Sequence, residues 1–463
     1  MDQNDSIPRK YSRTCVDKEF SAAEKLGIRL CFGRGSLDLG PEDGNNISPE
    51  LLQTVDEIIA DSEDAIKKYH DGNFNSMKNV ILAPCAPFCS SKECYIKTAE
   101  LARKYKVRLN THLAETLDEE KWCKEKYSKR PLELMQECNF IGNDVFFNHG
   151  IHFTEEEIKF LAKTGTGVAH CPTSNMKLSS GIMKMKEMRK YGVTIGLGVD
   201  GSASNDGSNL LDEMRNCFLL HRLNESHDAP TGYDILKMVT RGSAKLIGRE
   251  ELGCLKIGNP CDLFMIKCKG IEMVGCDHDF KNYLCTVGHK GNVFMTIVNG
   301  KIVFKDGKLT NIENEEELEL KAREVENEYL NKKYDIKKTI FIAAFLFGLW
   351  HLVTPFRSLL DGDMNLLSFI VMSIGYVILS TIMGIKWGLL YKMTGSIWMG
   401  LADHFFNNCV VTNLLHVVTS SGVDEMQIAR VLIGELTSFI AVLIYMKVKN
   451  IKIKSLESKC SEY

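Results

Sequence analysis

The sequence lacks a charge imbalance, a C-x-x-C pair and a His-x-His pair. Its 463 residues carry 57 Lys and Arg against 60 Asp and Glu, a formal net charge of -3. That balance gives no reason to expect nucleic acid as a partner. Sixteen cysteines could suggest disulfides, but they are scattered, and no C-x-x-C spacing joins any two of them. The start, Met1 to Arg13, is polar and charged rather than apolar, so no secretory signal is expected there. Reduced thiols in a reducing compartment follow. Long apolar runs are missing up to about residue 335 and dominate from about 339 to 447.

What is present begins with short β-rich runs at 28–33, 79–84, 107–112, 144–149, 166–170 and 193–199. Amphipathic stretches such as 49–69 and 92–105 separate them, and helical patterns follow at 208–222 and 232–247. Strands alternating with helices predict βα units and a parallel sheet. The expected fold class is α/β, an incomplete TIM-like barrel over residues 15–250, because a closed barrel needs eight strands. The lead before residue 28 is too short for two more units, so either the barrel is truncated or another chain completes it. Residues 251–312 read as a small β appendage with a two-residue hairpin turn at Asn299-Gly300. Residues 313–337 read as a charged helix and basic linker.

Three of the strand runs close on, or are shortly followed by, polar residues. Val107-Arg-Leu-Asn-Thr-His112 ends in a histidine, Asp144-Val-Phe-Phe-Asn-His149 in a second, and Val193-Thr-Ile-Gly-Leu-Gly-Val-Asp200 in an aspartate. Glu115 lies three residues beyond His112. The C-terminal ends of parallel barrel strands share one mouth. A divalent metal such as zinc takes imidazole and carboxylate and lowers the pKa of its water. A neighbouring carboxylate can then carry the proton to a leaving amine. Gly196-Leu-Gly198-Val-Asp-Gly201 also matches G-x-G-x-x-G, but it follows the last strand of the series and has no acidic ribose partner.

Several segments resemble the amidohydrolase superfamily. They are Thr111-His112-Leu-Ala-Glu115-Thr, His149, His170-Cys-Pro-Thr-Ser-Asn175, Gly198-Val-Asp200-Gly-Ser-Ala-Ser-Asn205, Arg34-Gly-Ser-Leu-Asp38, Ala83-Pro-Cys85-Ala-Pro-Phe88 and Thr240 to Arg249. The branch they most resemble contains 8-oxoguanine deaminase and the hydroxyatrazine and chlorohydrolase-like aminohydrolases. The resemblance implies one divalent metal, zinc or iron, held by His112 and Asp200. It implies that Glu115 shuttles protons, that His149 holds the water or leaving group, and that Asp200 also assists as a base. It offers Arg34, Cys85 and Asn175 as substrate contacts. The implied reaction is hydrolytic loss of ammonia from an amino-substituted heterocycle. The family carries a His-x-His pair on its first strand, and without that pair a weak or absent activity of the chain alone is expected.

Apolar runs near 339–355, 366–390, 396–418 and 427–446 are each close to the ~20 residues that span a bilayer. Lysines before the first run, at Lys386 and Lys392, and at the C-terminus place both ends of a multi-pass membrane part in the cytoplasm. Ionisable residues at bilayer depth read as functional. Phe347-Gly-Leu-Trp-His351 and His404-Phe-Phe-Asn-Asn408, over residues 338–449, resemble the CPBP family of CAAX-protease-like intramembrane metalloproteases. That resemblance implies catalytic His351 and His404, a supporting Asn408, a zinc ion, and a prenylated peptide as substrate. The paired glutamates of that family's first motif are missing. The expected functions are therefore a membrane-tethered heterocycle deaminase, an intramembrane endopeptidase with a passenger domain, or an inactive fusion that acts as a membrane or binding protein.

Overall fold

The computed structural model describes residues 12–44, 47–268, 270–271, 274–276, 278–289, 291, 293–333, 336–362, 365–394, 398–406 and 427–449. Two compact units divide the chain, residues 1–315 and 316–463. In the first, helix α1 (Ser12–Leu26) leads into strand β1 (Leu30–Ser36). The chain then passes through α2 (Val55–Tyr69), β2 (Lys78–Pro84), α3 (Lys92–Tyr105), β3 (Arg108–Leu113), α4 (Leu117–Tyr127), α5 (Pro131–Glu137) and β4 (Val145–His149). It continues through α6 (Glu155–Thr164), β5 (Gly167–His170), α7 (Pro172–Lys177), α8 (Met185–Tyr191) and β6 (Ile195–Leu197). Four helices follow: α9 (Ser202–Asn205), α10 (Leu210–Glu225), α11 (Gly232–Lys237) and α12 (Ser243–Leu246).

The six strands form one parallel sheet in chain order, β1 to β6. This is the incomplete barrel that the alternation of runs predicts. The strands are largely buried on both faces, as in a sheet covered on both sides. Val80, Leu82, Leu109, Val145, Phe147, Val168 and Ile195 pack into the main core with the helices. Ile81, Phe146 and Ala169, of opposite parity, pack with Leu246 and Ile247 in a smaller core. Thr54 and Glu57 close a capping box at the start of α2, and Thr154 and Glu157 do so for α6, which fixes where these helices begin.

The helix expected over 232–247 is broken. Between α11 and α12 the turn widens at Met238–Gly242. The reason is close approach: a Cβ on Gly196 would stand 2.7 Å from Leu246 Cδ1 and 3.0 Å from Ser243 Cα. Glycine in the strand lets α12 lie directly on β6. The appendage holds β7 (Leu263–Met265), helix α13 (Phe280–Thr286), β8 (Met295–Val298), β9 (Lys301–Lys305) and β10 (Lys308–Leu309), with the strands antiparallel in the order β10-β9-β8-β7. Asn299 and Gly300 take positive φ of 49° and 75° between β8 and β9, as a type I′ turn needs. Arg29 ties the appendage to the sheet: it bonds Asp262 at 2.5 Å and the carbonyls of Asn75 and Ser76 at 2.9 Å.

The second unit is all-α: α14 (Glu315–Lys333), α15 (Ile336–Trp350), α16 (Val353–Leu360), α17 (Leu366–Thr394), α18 (Trp398–Phe406) and α19 (Gln427–Val448). Among the described residues, two stretches are long and apolar enough to cross a membrane, Ile340–Leu360 and Leu366–Tyr391. The runs at 396–418 and 427–446 are helical over α18 and α19, and Asn408 lies outside the described residues.

Lys386 corrects the charge reading. It is not a flanking charge but sits inside α17 with its side chain 1% exposed, 2.5 Å from Glu435 and 2.7 Å from Asp403. Ser438 Oγ is a further partner at 2.9 Å. A buried ammonium persists because two carboxylates answer it. Lys386→Met leaves the Glu435 carboxylate, 2% exposed, buried without a counter-ion. It is expected to lower the stability of the detergent-solubilised chain by ~3–5 kcal/mol, read by thermal unfolding.

Candidate active site

His112 is the penultimate residue of β3, His149 the last of β4, and Asp200 follows β6. Adjacent strands bring the histidines side by side, with Leu113 paired to His149 and ring centroids 5.2 Å apart. His149 and Asp200 take left-handed backbone angles, φ 69° and 63°. For residues other than glycine such angles carry a cost, and they gather at functional sites.

The nitrogen roles follow from the partners. His112 Nδ1 lies 2.9 Å from the Cys85 carbonyl, which can only accept, so Nδ1 carries the proton and Nε2 presents a lone pair. His149 Nδ1 donates in the same way to Asn175 Oδ1 at 2.8 Å. Its Nε2 is buried with no hydrogen-bond partner. That atom points at acids: Glu115 Oε2 is 3.7 Å away and Asp200 Oδ2 3.8 Å. His112 Nε2 is 3.5 Å from Asp200 Oδ1. One ligand atom from each of His112, His149 and Asp200 lies within 4.8 Å of the others.

Electrostatics keep this set in ligand form. Burial, then the neighbouring His112, hold His149 below the ordinary imidazole range, so it is neutral. Burial pushes the Asp200 carboxyl up, but the facing His112 and His149 rings and the Ser174 hydroxyl outweigh it and leave the group well below the carboxylate range. Ser204 Oγ also donates to Asp200, at 2.9 Å. Two imidazole lone pairs and a carboxylate fit a zinc-class cation, and the unpartnered buried Nε2 of His149 is the atom such a cation would satisfy.

Glu115 is placed by residues that carry no sequence signal. Glu119, buried in α4, accepts the backbone N–H of Ala114 and of Glu115, each at 2.9 Å. Ser180 Oγ donates to Glu115 Oε1 at 3.2 Å. Asn205 links the Val199 carbonyl at 2.8 Å and Glu213 at 2.6 Å, bracing the loop that carries Asp200. Burial raises the Glu119 carboxyl from 4.5 to about 7. The folded chain therefore holds an extra proton between those values, and stability falls as pH rises from about 4.5 to 7. Glu119→Gln is expected to flatten that slope. It should also cost ~1–3 kcal/mol, because one loop N–H loses its acceptor. Chemical denaturation at a series of pH values measures both.

Of the three expected substrate contacts, the structure gives Arg34 and Asn175 other side-chain partners and engages Cys85 through its backbone. Arg34 belongs to the helix-facing parity of β1 and bonds Gln53 at 2.6 Å, with Asp61 at 3.8 Å, and the structure does not bring it to the cluster. Cys85 contributes its carbonyl to His112. The Asn175 oxygen is held by His149, which makes it a positioning residue. A cavity of about 360 Å³, lined in part by Phe146, Asn148, Cys171, Gly198 and Asp200, opens beside the carboxylate.

In the second unit His351 Nδ1 donates to the Phe347 carbonyl at 2.8 Å. His351 packs edge-on against Phe347, and His404 edge-on against Trp387, with centroids 4.6 and 4.8 Å apart; Phe347 and Trp387 stand 5.4 Å apart. The histidines thus flank one aromatic pair. Among the described residues, both clusters of three ligating side chains lie in the first unit.

Parallel βα units that end in two imidazoles and a carboxylate place the first unit in the amidohydrolase class of fold. The chain belongs to the amidohydrolase family, whose sequence pattern matches residues 9–303. The pattern of the type II CAAX prenyl endopeptidase Rce1-like family matches residues 319–410. Hydroxydechloroatrazine ethylaminohydrolase of Pseudomonas sp. is 36% identical over 319 residues, covering 68% of this chain and 66% of that protein. The 8-oxoguanine deaminase of Pseudomonas aeruginosa is 41% identical over 264 residues, covering 57% and 59%. The chain therefore spans less than two thirds of either relative. Atrazine chlorohydrolase from Arthrobacter aurescens, solved complexed with zinc, superposes with a TM-score of 0.63 at 29% identity, over 66% of this chain and 68% of that one. The Rce1-like match and the two apolar stretches give the second unit a membrane association.

Proposed function

We propose that the first unit is a metal-dependent hydrolase that removes ammonia or an amine from an amino-substituted heterocycle of the oxopurine or triazine kind. The observation that carries this reading is the meeting of His112 Nε2, His149 Nε2 and the Asp200 carboxylate within 4.8 Å. His112 and Asp200 would hold zinc or iron, with His149 presenting a third lone pair. The metal, when bound, supplies a water acidic enough to be hydroxide at neutral pH. Glu115, 3.7 Å from His149, takes a proton from the incoming water and delivers it to the leaving nitrogen. Ser180 orients that carboxylate, and Ser174 and Ser204 hold Asp200 ionised. Two further strands would complete the barrel.

The reading divides the chain into a partial barrel at 15–250, the β appendage at 251–312, a linker at 313–337 and a multi-pass membrane part at 338–449, with both ends cytoplasmic. The family match over residues 9–303 supports the barrel and appendage as one part, and the Rce1-like match over 319–410 with the two apolar stretches supports a membrane association for the other. The test is ammonia release from 8-oxoguanine and from aminotriazines by the full chain, before and after zinc reconstitution. Zinc-dependent release supports the proposal; no release together with no retained metal ends it. A second reading, intramembrane cleavage of a prenylated peptide with a zinc ion near His351 and His404, is favoured by the two histidines around Phe347 and Trp387. Peptide cleavage that disappears in His351→Ala would establish it. If both assays fail, a binding role in the membrane remains.

A further inference from the structure

A second cluster of ligating side chains lies deeper than the first and plays no part in the reaction above. His170 closes β5, and Cys217 and His221 stand four residues apart on α10. Each is fully buried at 0% exposure. One ligand atom from each lies within 4.8 Å of the other two. The Nε2 atoms of the two histidines are 3.0 Å apart.

Glu225 extends the same helix stripe by one more turn, since positions four apart share a face. Its Oε1 is 3.3 Å from His221 Nδ1, and its side chain is 7% exposed. A carboxylate behind a ring nitrogen fixes the tautomer and leaves Nε2 as a lone pair, the arrangement that outer partners give to metal-bound histidine. Two buried polar atoms beside the cluster, His170 Nδ1 and Glu225 Oε2, have no hydrogen-bond partner among the described residues. Deep in a core such atoms call for an explanation.

We propose that His170, Cys217 and His221 form a structural site for a zinc-class divalent cation, with Glu225 as the outer partner of His221. The donor set, one sulfur and two imidazole nitrogens, is of the type that selects zinc over magnesium or calcium. The charges close: binding displaces the Cys217 thiol proton to solvent, and a 2+ ion, a thiolate and the Glu225 carboxylate sum to zero, with the fourth position of a tetrahedral ion left for water. The site would clamp α10 to the end of β5, two residues before the turn that carries Pro172 to Lys177 and so Asn175. It does not depend on the proposed hydrolysis, because none of its residues belongs to the His112, His149 and Asp200 set.

Cobalt titration of the metal-stripped full chain tests it. The wild-type chain is expected to show thiolate-to-cobalt charge-transfer absorption in the near ultraviolet. Cys217→Ser should lose that band and one equivalent of bound cobalt. Asp200→Asn, which alters the other cluster, should keep the band. No band in the wild type, or a band that survives Cys217→Ser, overturns the proposal, since an imidazole pair sharing a proton then accounts for the geometry. If Cys217→Ser does not fold, X-ray absorption on zinc-loaded Asp200→Asn decides. One sulfur with two imidazole nitrogens supports the site; nitrogen and oxygen alone, or more than one sulfur, rejects it.

Discussion

Asp200→Asn is expected to strip the strand-tip centre of its metal and to reduce zinc-dependent ammonia release to background. The amide keeps the shape of the carboxylate, so packing and the left-handed backbone at φ 63° are preserved. What changes is charge. The anion lies 3.5 Å from His112 Nε2 and 3.8 Å from His149 Nε2. A neutral oxygen there offers a cation little. Removing an outer partner of a ligand typically costs ~10–100-fold in metal affinity. Removing the only anionic ligand should exceed the upper end of that range. Elemental analysis after dialysis reads the loss without reference to activity. A variant that retains the wild-type metal complement at this centre would remove Asp200 from the ligand set.

Glu115→Gln has the second largest expected effect, and the opposite signature. Its carboxylate stands 3.7 Å from His149 Nε2, oriented by Ser180 at 3.2 Å and by the loop that Glu119 holds. The amide cannot relay a proton. The rate of ammonia release should fall ~10²–10⁴-fold, the range for loss of a general acid–base group, while bound metal stays at the wild-type level. An unchanged rate would assign the proton transfer elsewhere.

Much of this arrangement was legible in the sequence, and for a clear reason. A parallel strand buried on both faces is an unbroken apolar run, so a histidine or aspartate that ends it stands out. His112, His149 and Asp200 were visible in that way, and six strands could be counted. Glu119 and Ser180 were not, and Ser174, Ser204 and Asn205 sat in resembling segments without any sign of their roles. Each acts through hydrogen bonds whose geometry exists only once loops from different βα units meet, and a serine in a loop has no period to read. Arg34 and Asn175 show the converse. Both sit in segments that carry the family resemblance, yet Arg34 is closed off by Gln53 and Asn175 serves His149. In the membrane-associated unit, Lys386 looked like a boundary marker because local composition cannot reveal a partner as distant in sequence as Glu435.

The strand count bears on how copies of this chain can meet. β1 and β6 each pair with a single neighbour in the six-stranded sheet. Joining β6 of one copy to β1 of the next would be a head-to-tail contact that leaves both outer margins bare again, so growth continues into filaments. Two copies together hold twelve strands, past the eight at which such a barrel closes. Head-to-tail growth therefore does not close the barrel, whereas two added strands would.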